Sequence, residues 1–153
     1  MWKLSEVLMV QLKGPSIQDC INDFLQDEKI EHMCTLCKRR THVKKMTLLT
    51  DPSTLIIQLK RYRYEYLKDR ATKRQDEIES SKTLTLPSGS IYTISSVINH
   101  VGDSPDEGHY NIFIYDPHRD SFVLLDDLDI EYDVQITADM NCLSYILIYT
   151  KNY

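Results

Sequence analysis

Glycine and proline are scarce, at 4 and 5 of 153 residues, and there is a single tryptophan. That poverty excludes a collagen-like or low-complexity chain. No apolar run approaches the roughly 18 residues that a membrane span needs. The start, Met1-Trp2-Lys3-Leu4-Ser5-Glu6, lacks the basic-then-apolar build of a secretory signal. The chain therefore reads as soluble and intracellular, cytoplasmic or nuclear, with no membrane partner. Cysteine is also sparse: Cys20, Cys34, Cys37 and Cys142. Cys20 and Cys142 lie inside apolar segments, so two buried thiols and one C-x-x-C pair account for the four better than a disulfide framework does.

What remains is ordinary globular material, 42% hydrophobic and 27% charged, in a length that suits one domain. The net charge of −5 hides an asymmetry. Residues 1–75 carry 15 Lys/Arg against 9 Asp/Glu, and residues 76–153 carry 3 against 14. Two surfaces of opposite sign follow, and the acidic one would attract a basic partner.

Leu4–Leu12 is apolar and extended-looking, and Pro15 breaks it. Ser16 with Asp19 forms a near capping box, and Ile17, Cys20, Ile21, Phe24 and Leu25 follow at helical spacing. The spacing predicts a helix over 17–26 whose apolar face, Cys20 included, is core. Lys44–Leu49 reads as a strand and Thr54–Leu59 as a buried one. Residues 60–82 are densely charged and read as a strand end followed by a mobile loop. From Ile91 the signals are nearly all β: 92–101, Tyr110–Tyr115, Phe122–Leu125 and Tyr145–Tyr149. One helix and many strands predict an α+β fold, mostly antiparallel.

The segment 109–126 is the most informative. A four-residue turn at 116–119 would pair Tyr115 with Asp120. Because paired positions in an antiparallel ladder keep a constant sum, His109 would then face Asp126. Facing residues have Cβ atoms about 5 Å apart, within reach of an imidazole–carboxylate hydrogen bond. Such a bond fixes the tautomer and orientation of a catalytic base, although a cross-strand His–Asp pair is also a common structural contact. Gly108, just before, permits close backbone approach to a substrate.

Cys34-x-x-Cys37 supplies two of the four ligands that a structural zinc needs. His32 and His42 are the nearest further candidates, but neither completes a common zinc spacing. Half a zinc ribbon and two ordinary reduced cysteines both remain open. In Leu59–Tyr66 basic and aromatic residues interleave, as they do in nucleic-acid-binding strands. A half-buried edge strand with Tyr62, Tyr64 and Tyr66 on one face is the simpler account, and the acidic total disfavours nucleic acid.

In order, Ser16–Phe24, Cys34–Cys37, Thr54–Tyr62 (TLIIQLKRY), Tyr92–Tyr110 ending in Gly-His-Tyr, Leu124–Asp127 and Tyr145–Tyr149 resemble the blocks of the ubiquitin-specific proteases, papain-like cysteine enzymes of the ubiquitin carboxyl-terminal hydrolase type. The resemblance covers essentially the whole chain. It implies partial fingers and palm strands over 1–82 and a palm with the His and Asp boxes over 83–153, without the helical thumb. It further implies that His109 is the general base, that Asp126 orients it, that Asp127 assists near the oxyanion, and that Gly108 and Tyr110 flank the substrate channel. His100 is implied to be structural. Cys34 and Cys37 would be two of four ligands of a structural zinc, and no cofactor serves the chemistry.

The departures are specific. The family's Cys box and first zinc pair lie upstream of anything in this sequence. Asn111-Ile112-Phe113 stands where Thr-Ala-Tyr is usual, and Phe122 stands for a tryptophan. The implied partner is ubiquitin or a ubiquitinated protein, with the missing N-terminal half supplied by another segment. The alternative is a non-catalytic ubiquitin-binding remnant. The palm sheet, lacking its thumb, is expected to present an apolar face.

Overall fold

The computed structural model describes residues 7–67 and 69–153. Its centre is an eight-stranded sheet. Six of its strands are β1 (Val7–Val10), β4 (Thr54–Leu59), β7 (Thr83–Thr85), β8 (Ile91–Val101), β9 (His109–Asp116) and β10 (Ser121–Asp126). The other two are β11 (Asp129–Val134) and β12 (Ser144–Lys151). The spatial order is β1-β4-β12-β8-β9-β10-β11, with β7 also on β8. Only the β1–β4 pairing is parallel; the others are antiparallel. Two separate hairpins join β2 (Glu28–Glu31) to β3 (Thr41–Lys44), and β5 (Tyr62–Glu65) to β6 (Arg70–Lys73).

Helix α1 (Ile17–Leu25) is built as its sequence directs. Ser16 Oγ accepts from Asp19 N, and Asp19 Oδ2 accepts from Ser16 N, both at 3.2 Å. Together these complete a capping box. Extended Gln26 ends the helix. Ile17, Cys20 and Ile21 are fully buried. They join Leu55, Ile57 and Leu59 of β4, Tyr92, Ile94 and Val97 of β8, Phe113, Phe122, Leu147 and Tyr149 in one core. Burying each such aliphatic side chain contributes about 1.5–3 kcal/mol.

The sheet's other face is apolar as well. Ile56, Ile98, Ile112, Val123, Leu125, Ile146 and Ile148 are half-buried there, and Ile114 is 40% exposed. It is a second apolar face, half-buried rather than uncovered.

Several expectations change. Of the strand read over Leu4–Leu12, the part Val7–Val10 is a strand, and residues 4–6 lie outside the described residues. Lys44–Leu49 is not a strand; β3 lies earlier, at Thr41–Lys44, because its partner Glu28–Glu31 fixes it there. Within residues 60–82, the expected strand end is β5, which pairs with β6 in a hairpin rather than opening into a loop, while 74–82 form no strand. A second helix, α2 (Ala138–Leu143), was not read; Thr137 caps it, its side chain accepting from Met140 N. Cys142 lies on α2 and is half-buried. Arg61, in the basic-aromatic run, is fully buried.

Candidate active site

The β9–β10 register differs from the sequence reading. Asp116 pairs with Ser121 and Tyr115 with Phe122, two residues further along than expected. The connecting turn is 117–120. It is held by Asp116 Oδ1, which accepts from His118 N at 2.9 Å, and it closes through Asp120 in the left-handed region at φ 52°. Asp120 also ties it to Tyr115 OH and Lys82 Nζ.

A shift of two residues preserves the face of every side chain, whereas a shift of one would invert it. His109 and Asp126 are therefore diagonal neighbours rather than opposite ones, and diagonal neighbours remain within reach of long side chains. Nε2 of His109 hydrogen-bonds Oδ1 of Asp126. Asn111 Nδ2 donates to Asp126 Oδ2 at 3.4 Å. Both carboxylate oxygens are thus engaged. Asn111 was seen in the sequence only as a departure from the family pattern.

The electrostatics follow from these contacts. The hydrogen bond that His109 donates to Asp126, then the charge of Asp126, hold the His109 imidazole above the ordinary histidine range, with a smaller push from Asp127. The His109 contact, then that from Asn111, hold Asp126 below the usual carboxylate range. Asp127 stands at the first position of the two-residue turn into β11, with φ 52°. The ligand atoms of His109, Asp126 and Asp127 lie within 4.8 Å of one another. With Nε2 committed to Asp126, Nδ1 is the nitrogen left to exchange a proton with an incoming group.

Gly108 is exposed; Tyr110 is 52% exposed, but its ring lies on the opposite face of β9 from His109. The need for glycine at 108 has a cause that the sequence did not disclose. A Cβ there would overlap the His100 imidazole, 2.6 Å from Cε1, and would stand 2.7 Å from Val101 O.

Elsewhere, the β2–β3 hairpin carries Cys34 and Cys37 in a tight turn. Cys37 N donates to Cys34 Sγ at 3.5 Å, and Lys38 follows at φ 55°. Backbone amides of Cys37 and Leu36 lower the Cys34 thiol below its usual range. The pairing of His42 with Ile30 brings its ring to the pair, and the donor atoms of Cys34, Cys37 and His42 lie within 4.8 Å. Two sulfurs and an imidazole suit zinc and fill three of its four tetrahedral positions. His32 is not in this group.

Cys20 is fully buried. Its Sγ donates to Lys13 O at 3.3 Å, and burial pushes its thiol up. It is a core group, as its helical spacing predicted. In the basic-aromatic run, Arg61 is buried and Tyr62 stands against His100, their ring centroids 5.9 Å apart. Tyr64 and Tyr66 remain exposed.

The profile of one protein family, described as ubiquitin carboxyl-terminal hydrolase, matches residues 2–149. Among curated relatives, the probable ubiquitin carboxyl-terminal hydrolase 8 of Schizosaccharomyces pombe is 25% identical over 158 residues, covering 93% of this chain and 32% of that protein. Ubiquitin carboxyl-terminal hydrolase 48 of Rattus norvegicus is 31% identical over 127 residues, covering 75% of this chain and 12% of that protein. The chain thus spans a third or less of these two. Among solved structures, the Ubp8/Sgf11/Sus1/Sgf73 deubiquitinase module of SAGA bound to ubiquitin aldehyde superposes with a TM-score of 0.72 at 20% identity, over 95% of this chain and 36% of that one. That likeness bears on the fold: the same antiparallel palm sheet. With the family profile matched over nearly its whole length, the chain belongs to the ubiquitin carboxyl-terminal hydrolase family.

Proposed function

We propose that this chain forms the base-carrying part of a deubiquitinase catalytic domain, acting once a thiol-bearing segment reaches the sheet face that carries His109 and Asp126. The single observation that carries the reading is the His109 Nε2–Asp126 contact at the open end of β9. Nδ1 of His109 would take the thiol proton, and Asp126 would hold the ring in the tautomer that leaves Nδ1 free. The thiolate would attack the carbonyl of ubiquitin's last glycine, and the nascent oxyanion would be held by donors near Asp127. Its collapse would break the C–N isopeptide bond, the amine leaving with the proton from His109 Nδ1 and a thioester remaining for hydrolysis. Water would then release ubiquitin. Gly108 would line the approach of the tail. The chain alone supplies base and orienter but no nucleophile in reach, so it binds without turnover.

The chain's share of its relatives' length supports a further segment that would bring the thiol. The test is titration of ubiquitin into isotope-labelled chain, followed by NMR. Shifts concentrated at Gly108, His109, Tyr110 and Asp126 are the expected result. Absence of any shift at millimolar ubiquitin would remove ubiquitin as the partner.

A second reading concerns zinc. Cys34, Cys37 and His42 would hold the ion with the fourth position met from outside the hairpin. The ion would pin the β2–β3 hairpin and take no part in the chemistry.

A further inference from the structure

On the face of the sheet opposite His109, the β5–β6 hairpin meets the end of β8 in a compact polar knot. Tyr62 OH lies 2.6 Å from His100 Nδ1 and 3.3 Å from Ser104 O. Lys73 Nζ donates to the carbonyl of His100, and to that of Gly102 at 3.0 Å. It also lies 3.3 Å from His100 Nδ1. Gln75 Nε2 donates to Asp103 Oδ1 at 3.2 Å. Tyr110 packs on the His100 ring with centroids 4.7 Å apart, and Tyr145 stands at 6.2 Å. His100 itself is 1% exposed.

These contacts bind the whole segment 100–104, which opens the loop leading to His109. Lys73 can only donate, so Nδ1 of His100 is an acceptor and Nε2 carries the proton. Burial and the Lys73 charge hold His100 below the ordinary histidine range, which keeps the ring neutral. The protonated Nε2 edge is the edge that lies against Gly108, where a Cβ would overlap it. Gly102, at φ 143°, is likewise in contact range: a Cβ there would stand 3.0 Å from Gly108 Cα and 2.9 Å from Glu107 O. The two ends of the loop are therefore packed on each other, with the His100 ring as the spacer between them.

We infer that His100, braced by Tyr62 and Lys73, is a positioning residue that sets the place of Gly108 and so aims the His109 imidazole at Asp126. The side chain touches no reacting atom; it acts through the backbone one residue before the base. The ring works as a stop. Tyr62 and Lys73 fix it from behind, Gly108 rests on its front edge, and His109 begins β9 from that point. The inference rests on His109 being the base proposed above.

The experiment uses the chain with 15N-labelled histidine and reads the His109 ring by 1H–15N NMR across pH, alongside thermal unfolding. In the wild type the Asp126 contact raises the His109 midpoint. Gly108→Ala forces the loop off the His100 ring, so the midpoint falls back towards the ordinary histidine range. In His100→Ala/Gly108→Ala the methyl group occupies vacated space, and the midpoint returns part of the way to the wild-type value. Tyr62→Phe keeps the ring and removes one brace. It lowers the midpoint without abolishing the fold, which covers the case in which the alanine variants unfold. An unchanged His109 midpoint in Gly108→Ala, or in Tyr62→Phe when the alanine variants do not fold, overturns the inference. So does a double variant no closer to wild type than Gly108→Ala. A chain that ignores ubiquitin yet shows this pattern defeats the proposed function and leaves the positioning role standing.

Discussion

Replacing Arg61 is the severest test of how this sheet is held together. The guanidinium is fully buried, and its hydrogen bonds among the described residues go to carbonyls and a hydroxyl, with Asp76 attracting it only at longer range. It donates to the carbonyls of Ser144, Arg74, Asp76 and Asn141, and to Ser144 Oγ. One side chain thus ties the end of β4 to the exit of β6, to α2 and to the start of β12. Arg61→Ala would leave two buried and two partly buried carbonyls short of a donor, at about 1–3 kcal/mol for each buried one. Water entering the vacated volume restores part of that. So does relief of the several kcal/mol that burying the charge costs. A net loss of about 3–5 kcal/mol follows, the upper part of the range for a single substitution that breaks a buried hydrogen-bond network. Against a total stability of about 5–15 kcal/mol, that is a large share. Urea denaturation followed by circular dichroism reads it. At a slope of about 2 kcal/mol per molar, the midpoint falls by about 2 M. Arg61→Lys, with one nitrogen for several acceptors, sits between. Arg61→Met is apolar and of similar length. If it were as stable as the wild type, the carbonyls would not need their donors and the reasoning would fail.

Asp126→Asn removes the charge that raises His109, so the histidine titrates at lower pH. The sign is set by both partners. The ion pair stabilises the fold between the depressed midpoint of Asp126 and the raised one of His109, and that contribution is lost outside the window on either side. The 15N shifts of His109 across pH show the change, and an unmoved midpoint would mean that the contact does not control the base. Ubiquitin vinyl sulfone mixed with the chain alone should give no adduct by mass spectrometry, because Cys20 is sealed in the core with its thiol pushed up. Labelled Cys20 or Cys142 would contradict that. Cobalt(II) added to the chain should produce a thiolate charge-transfer band that Cys37→Ser removes and His42→Ala weakens by roughly tenfold or more in affinity. An equal band in His42→Ala would exclude His42 as a ligand.

Much of this protein could be read from residue order. Ser16 and Asp19 are close enough in sequence to close a capping box whatever surrounds them, so α1 was legible. The run Thr54–Leu59 is β-branched and apolar enough to be a strand in almost any context, and it is one. The alternation around His109 and Asp126 placed both on one face. Face is a parity, which survived a two-residue error in register. The error arose because the turn's length depends on Asp116 and Asp120 making side-chain bonds that no local pattern announces.

What tertiary structure alone decided are the contacts between segments far apart in the chain. The charge of Arg61 marks it as surface; four carbonyls from β12, α2 and the β6 exit make it core. His42 matches no common ligand spacing, yet the β2–β3 register sets it beside Cys34 and Cys37. Gly108 looked like an opening for a substrate, and the His100 ring 8 positions earlier is what forbids a side chain there. Local propensity and periodicity act over a few residues and so are written in the sequence. Burial of charge, metal-ligand geometry and steric stops depend on which surfaces the completed sheet brings together.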